Sequence, residues 1–153
     1  MSLRLLICLL ILVFAVLPDS CKVEREDRPD MAGLVIQSGF ICGWGSGTDS
    51  IQITRDKIRY VYYIPRKSSL PQITKERAVP ESEWNEIVKC VNIDQFTKLN
   101  YNSCNVCFDG CDEWISLQNK TISHRISYSK GAQIDTISTL QNKLARLRTE
   151  FGN

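Results

Sequence analysis

The stretch CNVCFDGCDEW, Cys104 to Trp114, sets three thiols, Asp109, Asp112, Glu113 and a glycine within eleven residues. Such a group can bind metal, exchange disulfides or cross-link the chain. A four-thiolate zinc site would draw on Cys42, Cys104, Cys107 and Cys111. Cys104 and Cys107 have the two-residue spacing for it, but the second close pair is missing. A Cys-x-x-Cys redox pair at Cys104 and Cys107 needs an attacking thiol of lowered pKa, usually at a helix N-terminus, and here a strand follows. A calcium loop from Asp109, Asp112 and Glu113 lacks the regular alternation of oxygen ligands. Cross-linking is the reading the residues favour, with no catalytic residue, metal or cofactor implied.

Counting supports it. The chain has seven cysteines in 153 residues. Cys8 belongs to an N-terminal leader and Cys21 follows that leader, so five remain and one must stay unpaired. Cys90, at the border of an apolar helix face, is the expected free thiol, a small buried hydrophobe. Cys42 lies in ICGWGSGTDS, a glycine-rich turn before a hairpin, and the trio lies in a loop before another hairpin. Central hairpins of one sheet can bring these loops together. Cys42 is expected to bridge to one of the trio while the other two pair locally, with the partners left open.

An oxidising compartment requires export. Arg4 precedes an apolar run from Leu5 to Leu17, short of the about 20 residues a spanning helix needs. The run ends at Pro18, Asp19 and Ser20, and Cys21 follows. A cysteine there resembles the lipobox of bacterial lipoproteins, in which it is acylated and tethers the protein to the membrane. The alternatives are a cut after Ala15, giving a secreted protein, and a retained signal anchor. Residues 1–20 thus read as export signal, 21–33 as a charged tether broken by Pro29, and 34–153 as one domain. Arg4 and Asp19 leave together, so the net charge stays +2. With no basic cluster or basic aromatic stripe, nucleic acid is not an expected partner.

Other single residues carry weaker signals. His124 is the only histidine, and its place beside Ile122 and Ile126 on the covered face of a strand suits a structural role, bonded to tyrosine or backbone, better than acid–base catalysis. Trp44, flanked by glycines, either caps the disulfide cluster or protrudes as a contact residue. Tyr63 points opposite to Tyr60 and is a second candidate contact, as is Asp109. GWGSG lacks the strand, helix and lysine of a phosphate loop.

The elements that must position these residues follow from periodicity. Ile51 and Ile53 alternate with polar residues, as do Ile58, Tyr60 and Tyr62, giving a hairpin turning at Asp56-Lys57 with Ile53 opposite Tyr60. Ile115 and Leu117 lead through Asn119-Lys120 to Ile122, His124, Ile126 and Tyr128, with Ile115 opposite His124. PESEWNEIVKC reads as a helix whose face carries Trp84, Ile87, Val88 and Val91. From about Asp135 to Phe151, Ile137, Leu140, Leu144, Leu147 and Phe151 step by three and four, with Lys143, Arg146 and Arg148 placed to complement the helix dipole. GLVIQ and QITKERAV are possible extra strands. The expected fold is α+β, a two-layer sandwich in ββαββα order, an antiparallel sheet of about four or five strands with two helices on one face.

The combination of CGWGSGTDSIQI, EWNEIVKCVNIDQF, CNVCFDGCDEWI and a final amphipathic helix resembles uncharacterised small bacterial envelope lipoproteins. That resemblance implies a disulfide-bearing domain and no activity or functional residue. In layout alone the chain is similar to small secreted protease inhibitors. The function expected is an exported, lipid-anchored, non-enzymatic binding domain in the bacterial envelope, at the outer membrane or in the periplasm. Its pinned loops around Cys42–Gly47 and Tyr101–Asp112 would face a protein or glycan. A secreted hydrolase inhibitor, an enzyme or metal protein using the cysteine loop with His124 or Asp109, and a purely structural envelope component are the alternatives.

Overall fold

The computed structural model describes residues 31–43, 47–65, 67 and 69–152. The leader, Cys21, most of the tether and Trp44 lie outside these residues.

Six antiparallel strands form one sheet: β1 (Val35–Cys42), β2 (Thr48–Ile53), β3 (Lys57–Tyr63), β4 (Ile73–Ala78), β5 (Cys111–Gln118) and β6 (Ser123–Ser129). Their spatial order is β4-β3-β2-β1-β5-β6. Helices α1 (Glu81–Lys89) and α2 (Ile93–Phe96) come between β4 and β5, and α3 (Ser138–Gly152) closes the chain. The α+β class holds, while the strand count of four or five and the ββαββα order need correction. Both optional segments are strands. β4 extends the first hairpin, and β1 lies between the two hairpins, paired with β2 on one side and β5 on the other. A strand joining two hairpins is buried in the middle of the sheet, and its short apolar stretch VIQSGFIC reads weakly on its own.

One sheet face is apolar. Ile58, Ile53, Ile36 and Leu117 lie side by side across four strands, and Tyr60, Ile51, Ser38, Ile115 and Ile126 form the next row. Trp84, Ile87 and Val91 from α1 and its end, Ile93 and Phe96 from α2, and Ile137, Leu140, Leu144, Leu147 and Phe151 around α3 join them in a single core. Both hairpins keep the expected faces but shift register by two residues. Ile53 pairs with Ile58, and Ile115 with Ile126. The turns centre on Arg55-Asp56 and Lys120-Thr121. At the first, Thr54 bonds to Lys57 through main chain (2.9 Å) and side chain (3.2 Å). At the second, Asn119 Oδ1 accepts from the amides of Thr121 and Ile122, both at 2.8 Å. Apolar alternation cannot separate registers differing by two, because both keep every side chain on its face, so turn chemistry decides.

The helix ends depart from expectation too. Lys143 and Arg148 are spent on Glu86 and on two strand carboxylates. The cation at the end of α3 is Lys75 of β4, whose Nζ donates to the Phe151 carbonyl at 2.6 Å. Arg77, also on β4, gives both terminal nitrogens to Glu83 of α1, at 2.6 and 2.7 Å, and reaches Glu150 of α3 at 3.1 Å. One edge strand thus ties α1 and α3 to the sheet.

Ile36, fully buried in the central strand, is the strictest test of this core. Ile36→Ala is expected to lower unfolding free energy by about 2–5 kcal/mol in urea denaturation.

Candidate functional site

β1 and β5 end side by side, with Cys42 directly opposite Cys111. Their sulfurs form a disulfide across Cα atoms 4.1 Å apart. Closing a loop with a sequence separation of 69 residues, it constrains the unfolded chain by about 4 kcal/mol in the chain-entropy account. Cys104 and Cys107 form the second bridge, across a separation of three, where the same account gives only about 2 kcal/mol. Its main consequence is local shape. The expected scheme of one long bridge, one local bridge and a free Cys90 is the one found. Such bridges are the chemistry of an oxidising, exported compartment. No helix among the described residues is long and apolar enough to cross a membrane.

The loop between the bridges is built around Asp112. This residue sits on the sheet face away from the helices, paired with Ile41 and Ser129, yet it is only 1% exposed. Its Oδ1 accepts from Ser103 Oγ and from Asn105 Nδ2 (3.0 Å), and its Oδ2 accepts from the Val106 amide (2.9 Å). Asn105 also donates to Ser129 Oγ at 2.7 Å. Burial pushes the Asp112 carboxyl up, but these hydrogen bonds outweigh it and hold its pKa below the ordinary value. The preceding segment is pinned to the edge of β6, where Ser103 N donates to the Ser127 carbonyl and Ser127 N to that of Tyr101, at 2.9 and 3.0 Å.

Residues Asn105–Phe108 then make one 3₁₀ turn that ends on Asp109 in the left-handed region, at φ 64°. Asp tolerates that conformation better than most side chains. Two glycines are required beside it. A Cβ on Gly110 would lie 2.9 Å from Asn105 Cβ, and one on Gly43 would lie 2.8 Å from Asp109 Cα. Gly43 N also donates to the Gly110 carbonyl at 3.0 Å. The chain leaving Cys42 is therefore laid against the cysteine loop.

The outcome is an exposed aromatic on a tied-down turn. Phe108 is 87% exposed, by far the most open large apolar side chain among the described residues. Asp109, beside it, is exposed as well. Tyr63 pairs with Thr48, at the start of β2, and is 42% exposed at this same end of the sheet. The structure thus gathers Cys42, Cys111, Cys104, Cys107, Asp109 and Tyr63 at one end of the domain. His124 is elsewhere, on the helix-covered face, with Nε2 3.0 Å from the Leu99 carbonyl and its ring edge-on to Phe96. Among the described residues no three His, Cys, Asp or Glu side chains converge on a metal position.

Two features of the structure lie outside the sequence-based expectations. Phe108 was open to discovery, since an aromatic between Cys107 and Asp109-Gly110 has no apolar partner at helix or strand spacing. The other is a cluster on the helix-covered face, where Arg148 of α3 reaches Asp49 (3.5 Å) and Glu113 (2.7 Å) beside a cavity of about 310 Å³. Burial raises the Asp49 pKa against the pull of Arg148. No local pattern joins β2, β5 and the last helix, so this contact is invisible before folding. Neither family models nor curated proteins match the chain.

Asp112→Asn keeps the side-chain shape but sets an amide N–H against buried donors. It is expected to cost about 2 kcal/mol at pH 7 in chemical denaturation. Because the folded pKa is lowered, wild type holds this stability above the unfolded value near 3.8 and loses it as pH falls through the lower folded value. The gap between wild type and variant should therefore shrink below about pH 4.

Proposed function

We propose that this is an exported, non-enzymatic binding domain, tethered to the bacterial envelope through acylated Cys21, that uses its disulfide-held loop to engage a partner protein. The observation that carries the reading is Phe108, an apolar ring held in water on a turn fixed by a disulfide, a buried carboxylate and two obligatory glycines. A ring in that position gives the fold little, and it offers a partner a preformed anchor whose ordering cost is already met. Asp109 is next to it in the chain, Tyr63 lies at the same end of the sheet, and Trp44 is the residue after Gly43. A hydrolase inhibitor is the version in which this loop fills an enzyme cleft. A catalytic role for His124 finds less support, because its ring is spent on Leu99 and Phe96.

Phe108→Ala is expected to leave stability within about 0.5 kcal/mol of wild type. Affinity capture from an envelope fraction, run in parallel with both proteins, should recover a partner with wild type and lose it with the variant. Equal capture by both, or none by wild type, contradicts the reading.

A further inference from the structure

The helices cover one face of the sheet, and the other face holds a continuous polar row. Glu76, Arg59, Gln52, Gln37, Ser116 and Arg125 are successive cross-strand neighbours across all six strands. At a strand spacing near 4.8 Å, the two arginines stand about 19 Å apart. Glu76 pairs with Arg59 (3.4 Å) and Lys57 (3.3 Å). At the other end, Arg125 has no carboxylate partner among the described residues, and its guanidinium lies 4.1 Å from the centre of the Trp114 ring. Trp114 in turn packs over Gly39, where a Cβ would lie 3.0 Å from Trp114 Cζ2. The indole thus holds a guanidinium in place, charged and unneutralised. Burial lowers the Arg125 pKa, the mark of partial dehydration. Between the arginines, Gln37, Gln52 and Ser116 are half-buried, and their side chains have no hydrogen-bond partner among the described residues.

We propose that this open sheet face binds an acidic saccharide, with Arg125 pairing to a carboxylate and Gln37, Gln52 and Ser116 taking hydroxyls along the row. The site is separate from the Phe108 loop and stands or falls independently of it. The four inner strands beneath, which carry Arg59, Gln52, Gln37 and Ser116, are hydrogen-bonded on both sides, so a peptide cannot add as a strand across them. The six residues of the row are all polar or charged, so the row itself offers a partner no apolar anchor. Two guanidiniums this far apart make a poor track for closely spaced phosphates. Amides, a hydroxyl and one oriented guanidinium suit a flat, hydroxyl-rich, carboxylated chain.

The test is calorimetric titration of the oxidised protein with oligogalacturonate, with backbone chemical shifts followed in parallel. Carboxyl-reduced oligosaccharide and poly-glutamate serve as controls. Saturable binding is expected to shift the amides of Gln37, Gln52 and Ser116. Arg125→Gln should weaken it at least about tenfold, as should carboxyl reduction. Gln52→Ala, a second surface variant, should weaken it severalfold, and Phe108→Ala should leave it unchanged. The proposal is overturned by no binding, by shifts away from this row, by wild-type affinity in both Arg125→Gln and Gln52→Ala, or by equal binding of poly-glutamate.

Discussion

The site depends on one buried carboxylate. Asp112 stands on the face of the sheet that no helix covers, where an ionised side chain would ordinarily point into water. Instead the segment Ser103–Val106 folds over it, and three donors replace that water. A buried charged acceptor held by three donors is among the stronger interactions a small domain can build, and removing any donor would leave the charge short of a partner. The loop owes its course to this anchor, and the Cys104–Cys107 bridge tightens a turn whose position the anchor has already set.

The sheet places that anchor. Among the described residues β1 is the one strand that pairs with both hairpins, and its last residue, Cys42, is bonded to the first residue of β5. The cross-link therefore falls one residue before Asp112, and it fixes the end of the sheet from which both loops depart. On the far face, Arg77 and Lys75 of the edge strand hold the helices. The domain is thus tied at opposite margins by different chemistry, covalent at the loop end and ionic at the helix edge. The polar row on the open face crosses the ground between them.

Much of this was legible in the sequence where a strong periodic or counting rule applied. The alternation of Ile51, Ile53, Ile58 and Tyr60 gave the correct face, as did that of Ile115, Leu117 and Ile126. The spacing of Leu140, Leu144, Leu147 and Phe151 marks the last helix, and the five cysteines beyond residue 21 are an odd number that fits two bridges with Cys90 left over. The registers are not legible there, because alternation has a period of two and is blind to a shift of two. Thr54 and Asn119 decided them through side-chain bonds within the turns. In the sequence Asp112 is one acid among several, since its role exists only once residues 103–106 cross the sheet. Arg148 looked like a helix-dipole charge, and it is instead drawn by Asp49 and Glu113 from strands far away in the chain.

The loop carrying Phe108 is ordered in the free protein, before any partner arrives. Amide hydrogen exchange at Val106 and Gly110 tests it most directly, because the Val106 amide donates to Asp112 and the Gly110 amide to the Asn105 carbonyl. Protection at both amides, in the oxidised protein near neutral pH, is expected to approach that of β5. Exchange at the rate of an unstructured peptide would contradict it, and the loop would then be a flexible segment that a partner must order at its own cost.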